Sequence, residues 1–236
     1  TVLGAVKGFS GNFTTALNPA ITKAYAAKDF SYMNKLMYSG SKLVFILLFT
    51  IMLPLFIKCH YVLELWLNIV PEYSVSFIRI LLVQTLVVTM WSPLFVCGLA
   101  TGKIKSFGLI TSCLNICQIV VCYIILKCNA SPVFVVSALA IWEIMAYSVQ
   151  FYTLSRLTNF IYKDYLFKVE LRSLLVLVIS SLLSYPILMH LQNNLIMLVM
   201  GCVITSIFSL LFSYLFLLDK MEKSFVKKIM IKIIKK

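Results

Sequence analysis

The chain has 236 residues, of which 61% are hydrophobic and only 12% are charged, and its formal net charge is +13. A soluble domain carries roughly 45–50% apolar and about 25% charged residues, so this composition excludes a domain surrounded by water and indicates a protein that lies mostly in lipid. The positive charge does not indicate nucleic acid as a partner, because no nucleic-acid-binding motif accompanies it.

The first 38 residues divide into an apolar segment and a polar one. Segment 1–18 begins with Thr and resembles the second half of a helix, so we expect the end of a truncated transmembrane helix in the C-terminal part of a longer protein. A short amphipathic entry segment is the alternative. We expect 19–38 to be a cytoplasmic loop, with Pro19 in the first turn of a short helix and Asn18 as its cap.

Six apolar segments follow, each long enough for a membrane-spanning helix. About 20 mostly apolar residues cross about 30 Å of hydrocarbon, and a helix satisfies its backbone hydrogen bonds within the segment. We therefore predict an all-α fold, a polytopic transmembrane bundle with a six-helix lobe over 39–218. The predicted spans are 39–57, 75–99, 107–126, 133–155, 173–191 and 195–218.

Lysine and arginine alternate in number between successive loops. Of the 21 in the chain, 17 lie in 19–42, 100–106, 156–172 and 219–236, whereas the loops between them hold only Lys58 and Lys127. Positive charge in short loops accumulates on the cytoplasmic side of a membrane. The pattern therefore predicts a multi-pass membrane protein with a cytoplasmic C-terminus.

Two segments outside the spans have the pattern of helices that lie on a membrane surface. Loop 58–74 has one apolar helical face and aromatic residues, which predicts a helix in the outer interface. This face is formed by Val62, Leu65, Trp66 and Ile69. The tail 219–236 is a basic amphipathic segment, which we expect to hold anionic lipid headgroups. A regulatory or partner-binding tail is the alternative.

Glu143 is the most informative polar residue, because it lies near the middle of a predicted span. A charged acid at a helix centre costs about 2.5–3.5 kcal/mol to insert. Tyr147 and Gln150 follow at i+4 and i+7, so the three share one helical face. This face is a candidate ion-coupling site for H⁺ or Na⁺; the alternative is a protonated Glu143 that hydrogen-bonds to a neighbouring helix.

Two cations and two carboxamides are candidates for a polar cavity. Arg79 lies near the outer end of its span and either snorkels outward or faces the interior, and Lys7 has the same two interpretations. Asn115 and Gln118 share one face of span 107–126, which predicts either a cavity lining or contacts that hold helices together. A further series predicts contacts between helices: Gly201, Thr205, Ser209 and Ser213.

Catalytic groups do not cluster anywhere in the sequence. The eight acids are scattered, the two histidines fall at span boundaries, and the seven cysteines include no CxxC pair. The pattern therefore predicts no catalytic residue, no metal site and no cofactor. A non-enzymatic membrane protein is favoured.

Two stretches carry a resemblance to a known family. They are NPAITKAYAAKDFSYMNKLMYSGSK at 18–42 and LELWLNIVPEYSVSFIRILL at 63–82. Together they resemble the polysaccharide flippases, of the O-antigen or lipopolysaccharide type, in the exporter superfamily that includes the MATE-like transporters. Related members often have Gln at the place of Ala20 and Gly at the place of Lys28. The resemblance covers the chain as the C-terminal half of such a protein.

The resemblance implies a function and partners. Two helical lobes would rock around a central cavity and carry an undecaprenyl-diphosphate-linked oligosaccharide to the outer leaflet. The partners would then be this glycan, membrane lipids and the N-terminal half of the same protein. Lys7 and Arg79 would be the cavity cations and Glu143 the coupling acid. Three alternatives remain open: a small-molecule or drug exporter, a membrane glycosyltransferase or acyltransferase, and a non-functional truncated fragment.

Overall fold

The computed structural model describes residues 2–67, 69–102, 104–157, 160, 162–191 and 194–234, and these form helices and short connections. The helices are α1 (Val2–Ala26), α2 (Phe30–Ile57), α3 (Cys59–Leu67), α4 (Ser74–Met90), α5 (Ser92–Ala100), α6 (Ile104–Lys127), α7 (Pro132–Leu157), α8 (Tyr162–Tyr165), α9 (Leu171–His190), α10 (Leu195–Phe212) and α11 (Lys220–Ile234). Two π-helical turns, Leu166–Glu170 and Ser213–Leu217, precede α9 and follow α10.

The all-α prediction and the number of spans are confirmed. Within the described ranges, six helical stretches are long and apolar enough to cross a membrane, and no residue lies in a strand. They are Phe30–Ile57, Ser74–Ala100, Gly108–Lys127, Pro132–Ser155, Tyr162–His190 and Leu195–Leu217. The chain is therefore a multi-pass membrane protein.

The segment 19–38 is helical except for a turn at 27–29, whereas a cytoplasmic loop with one short helix was expected. α1 continues through Pro19 to Ala26, a turn covers 27–29, and α2 begins at Phe30. Pro19 lies inside a helix and not in a first turn, and the described cap is Asp29, whose carboxylate accepts a hydrogen bond from the backbone N–H of Tyr32 at 3.0 Å.

Packing explains why this segment is helical despite its polar residues. Ile21, Met33 and Met37 are fully buried, so one side of each helix end packs against the bundle while the lysines stay outside. The turn itself needs a left-handed backbone at Lys28, which has a φ of 58°. Such a conformation costs an L-residue about 1–2 kcal/mol and is the usual place for glycine.

The helix α2 lies at the centre of the bundle. It packs against α1, α4, α9 and α10, and Val44 and Leu48 on it are fully buried. α6 is at the opposite extreme, since it packs mainly against α7 and none of its residues from Gly108 to Lys127 is buried.

The predicted contacts of small and hydroxyl residues along α10 are confirmed. The four residues of the series are all buried, where α10 packs against α9 and α2. The hydroxyls of Ser209 and Thr50 on α2 lie 2.9 Å apart, within hydrogen-bonding distance. A Cβ added to Gly201 would lie 3.4 Å from Leu188 of α9. Small residues thus let the helices approach closely, as in other membrane bundles.

The predicted helix in loop 58–74 is present as α3. Cys59 and Leu63 face the bundle and are buried, whereas Leu65 and Trp66 are exposed. Ile69 lies beyond the end of α3 and is also exposed. The apolar face therefore points away from the other helices, as expected for a helix that contacts lipid at an interface.

Candidate functional site

The centre of the candidate site is a hydrogen bond between two helices. The side-chain amide of Gln84 on α4 donates to the carboxyl group of Glu143 on α7. Gln84 is ten residues after Ser74 and Glu143 is eleven after Pro132, which puts both roughly 15 Å along their helices. The acid therefore lies near mid-membrane depth with a neutral partner.

A polar groove with a volume of about 440 Å³ lies beside this pair. α1, the junction of α4 and α5, and α7 form its walls. Its lining residues are Gly11, Thr14, Thr15, Val88, Thr89, Ser92, Phe95, Glu143 and Tyr147. Thr14 and Ser92 join two of these walls, because their hydroxyls lie 2.8 Å apart. The groove thus has one acid and a set of hydroxyls in an otherwise apolar region.

The second predicted span is broken next to the groove. α4 ends at Met90 and α5 begins at Ser92, with Pro93 in its first turn, whereas one continuous helix was expected over 75–99. Proline has no N–H and cannot continue the hydrogen-bond ladder of α4. Irregular backbone at membrane depth is tolerated where it lines a cavity or is covered by protein, and this break meets the groove at Ser92.

Trp91, at the break, connects the groove to a second acid. Its indole N–H donates to Glu170 Oε1 at 3.1 Å. Its ring lies 5.9 Å from that of Tyr147 and 5.0 Å from that of Phe151, centroid to centroid. Glu170 therefore belongs to the same packed region as Glu143, although it lies on a different helix.

Of the predicted coupling residues, all three face this region. Tyr147 lines the groove, and Gln150 is buried in a small apolar pocket with Trp91 and Phe151. The shared helical face of Glu143, Tyr147 and Gln150 therefore packs toward α4 and α5. This agrees with the interpretation that the face meets other helices, and the groove adds a polar cavity at one end of it.

Arg79 is not in the groove, which corrects its expected place in the cavity. Its Nε donates to the backbone carbonyl of Phe56 at 3.1 Å, and its guanidinium lies 5.6 Å from the centre of the Phe56 ring. It thus holds the end of α2 near the boundary of the membrane. A cation near a helix C-terminus stabilises the unpaired carbonyls there.

Asn115 and Gln118 are also outside the groove. Asn115 is exposed on α6, and Gln118 lines a separate shallow cleft of about 400 Å³ between α6 and α7. Lys7 lies on α1, four positions before Gly11, but its side chain falls outside the residues that the structure describes. The candidate cavity residues therefore do not form one described cluster.

A second polar region lies where α2, α9 and α11 meet, and we call it the charge cluster. It consists of Lys42, Arg172, Asp219 and Glu222. Lys42 is only 1% exposed, and its Nζ donates to Asp219 Oδ2 at 2.6 Å and to Glu222 Oε2 at 3.0 Å. Arg172 Nη1 donates to Asp219 Oδ1 at 2.6 Å. Burial alone would raise the pKa of Asp219, but the two cations outweigh it and hold that pKa below its usual value.

Gln84, Glu170 and the charge cluster were not predicted as site residues, for different reasons. Gln84 is the one carboxamide in the apolar run ILLVQTLVV and lies at the same depth as Glu143. This equal depth could have predicted that the two side chains meet. Glu170 was assigned to a loop because it lies among charged residues, but helical structure begins at Tyr162. Lys42 and Arg172 entered only the count of positive residues per loop, which predicts the orientation of the chain in the membrane.

The residues that the structure describes bring together no group of three His, Cys, Asp or Glu side chains that could hold a metal ion. Comparison with protein-family models, with curated proteins and with solved structures gave no significant match. The class of protein thus follows from the fold and the spans, as an all-α, multi-pass membrane protein.

Proposed function

We propose that this chain is the C-terminal lobe of a polysaccharide flippase that moves an undecaprenyl-diphosphate-linked oligosaccharide across the inner membrane. The observation that carries the proposal is a groove lined by one acid and several hydroxyls near mid-membrane depth, beside a helix that a one-residue turn interrupts. A charged headgroup cannot cross hydrocarbon unaided, so a carrier needs a polar cavity that replaces water. Broken helices near the midplane are a common feature of transporter binding sites.

The α1–α2 turn supports the family resemblance independently. Related members often have Gly at the place of Lys28, and Lys28 adopts the left-handed backbone that favours glycine.

Glu143 is the proposed coupling acid. Its described partner, Gln84, is neutral, and a carboxamide can donate to a carboxylate or accept from a protonated carboxyl group. The pair can therefore persist when Glu143 gains or loses a proton. Such a change would alter the charge of the groove by one unit without breaking the contact between α4 and α7.

The test is glycan transport by the full-length protein. In proteoliposomes that contain a labelled undecaprenyl-diphosphate glycan, Glu143→Gln should slow translocation and flatten its dependence on pH, because the site can no longer titrate. Lys7→Ala should lower surface polysaccharide in cells at unchanged protein level, since it removes a cation that would balance the diphosphate.

A matched control is Glu64→Gln, which neutralises an exposed acid on α3 whose described ion pair is with His60, one turn away. This variant should transport like the unsubstituted protein. Translocation that keeps its full pH dependence in Glu143→Gln would remove the coupling role. Failure of the unsubstituted protein to translocate the glycan would refute the flippase proposal itself.

A further inference from the structure

The helix α11 is attached to the bundle by its first turn. All the described hydrogen bonds from this segment to other helices or turns come from Asp219, Met221, Glu222 and Lys223. Glu222 accepts from Lys42 and from the hydroxyl of Ser39 at 2.6 Å, so this side of α11 faces α2. The attachment fixes where α11 begins, and only two residues separate it from the span that ends at Leu217.

The attachment also leaves the rest of α11 with charge of one sign. Asp219 and Glu222 are the only acids between 219 and 236, and both are neutralised inside the charge cluster. Lys220, Lys227 and Lys228 are exposed, and none of the ion pairs among the described residues includes them. The outward surface of α11 is therefore cationic.

Two large apolar side chains project beside these lysines. Met221 is 71% exposed and Phe225, one turn later, is 66% exposed. Exposed apolar side chains that lie together and are rimmed by polar residues mark sites of contact with a membrane or a partner. Lysines flanked by exposed apolar side chains are typical of helices that lie in a membrane interface.

We infer that α11 binds the anionic phospholipids of the leaflet at which α10 ends, with its lysines on the phosphates and Met221 and Phe225 among the upper acyl carbons. α11 begins directly at the end of a span, so it is already at the depth of the headgroups. The charge cluster orients α11, because Lys42 and Arg172 pair with both acids on the side that faces the bundle. The lysines of α11 remain exposed and can contact the lipid. This inference does not depend on the flippase proposal.

The test is hydrogen–deuterium exchange of the whole chain in two kinds of nanodisc, one of phosphatidylcholine alone and one of equal parts phosphatidylcholine and phosphatidylglycerol. We expect the amides of 223–234 to exchange more slowly in the anionic nanodiscs, and the difference to shrink at high salt, because salt screens surface charge. Each lysine near an anionic surface strengthens binding roughly fivefold. The double variant Lys227→Gln, Lys228→Gln should therefore lose most of the difference.

The matched control is Lys127→Gln, a lysine at the other end of the bundle, which should keep the difference intact. Unchanged exchange in α2 and α10 verifies that the variants are folded. Equal exchange of 223–234 in the two nanodiscs would overturn the inference. So would protection in phosphatidylcholine nanodiscs on addition of inorganic phosphate, since that result would assign the lysines to a soluble anion.

Discussion

The groove at Glu143 and the charge cluster at Lys42 are both polar regions inside an apolar bundle, but they neutralise charge in opposite ways. Lys42 and Arg172 face Asp219 and Glu222, so two cations meet two acids. The described hydrogen bond of Glu143 is with the neutral amide of Gln84. A balanced cluster holds helices together through paired charges, whereas the contact of Glu143 with Gln84 does not depend on a cation.

The largest effect expected from this contrast is on Lys42. Lys42→Ala leaves Asp219 and Glu222 without their buried partner, and breaking a buried pair costs about 3–5 kcal/mol. We expect the free energy of unfolding to fall by about 3 kcal/mol. This is the low end of that range, because Asp219 is 47% exposed and water partly screens its charge. Chemical denaturation in detergent measures it.

The control for this prediction is Lys23→Ala, an exposed lysine on α1 that should change the free energy of unfolding by less than about 0.5 kcal/mol. Equal values for the two variants would mean that the cluster does not stabilise the bundle.

A smaller effect is expected at Trp91, at the turn between α4 and α5. Trp91→Phe keeps an aromatic ring but removes the donor to Glu170, and an unsatisfied buried acceptor costs about 1–3 kcal/mol. The midpoint of thermal unfolding should fall accordingly. Trp66→Phe, at an exposed position on α3, should leave it unchanged. If both midpoints are equal, the indole hydrogen bond does not contribute.

The charge cluster should also respond to acid. The pKa of Asp219 is held below its ordinary value, so its stabilising contribution is complete above the pKa of the unfolded state, about 4, and is lost as the pH falls through the lower, folded value. The gap in unfolding free energy between the unsubstituted protein and Asp219→Asn should therefore be widest near neutral pH and close below about pH 4. A gap that stays constant with pH would show that Asp219 carries no net stabilising charge.

The smallest effect on stability is expected at Glu143 itself. Glu143→Gln replaces one acceptor for Gln84 with another of nearly equal shape, so the free energy of unfolding should change by less than about 1 kcal/mol. A loss as large as that of Lys42→Ala would mean that Glu143 is ionised and paired with a cation, and the contrast between the two regions would disappear.

The six spans were predictable because length and apolar composition act locally and need no knowledge of packing. The helix in loop 58–74 and the small-residue series of α10 were predictable for a related reason, since each depends on the period of one helix. The prediction of a loop at 19–38 rested on the polarity of the segment. Most of the segment is helical, because Ile21, Met33 and Met37 are buried on one side of it.

The positions of the site residues needed the tertiary structure. Sequence spacing placed Glu143, Tyr147 and Gln150 on one face, but it did not indicate which helix that face meets. The sequence left Arg79 with two placements, outward or toward a cavity, and the tertiary structure puts it against Phe56, because α2 ends beside it. From the sequence, Lys42 indicated only which end of the span is cytoplasmic. The tertiary structure brings Asp219 and Glu222 against α2, where they form ion pairs with the buried Lys42.

Membrane spans and surface helices could thus be inferred from the chain because lipid and water select residues by polarity, one helix at a time. The groove, the contact of Gln84 with Glu143 and the charge cluster depend on how helices far apart in the chain cross one another. These crossings are decided by the packing of small and large side chains across the whole bundle, and no single segment contains that information.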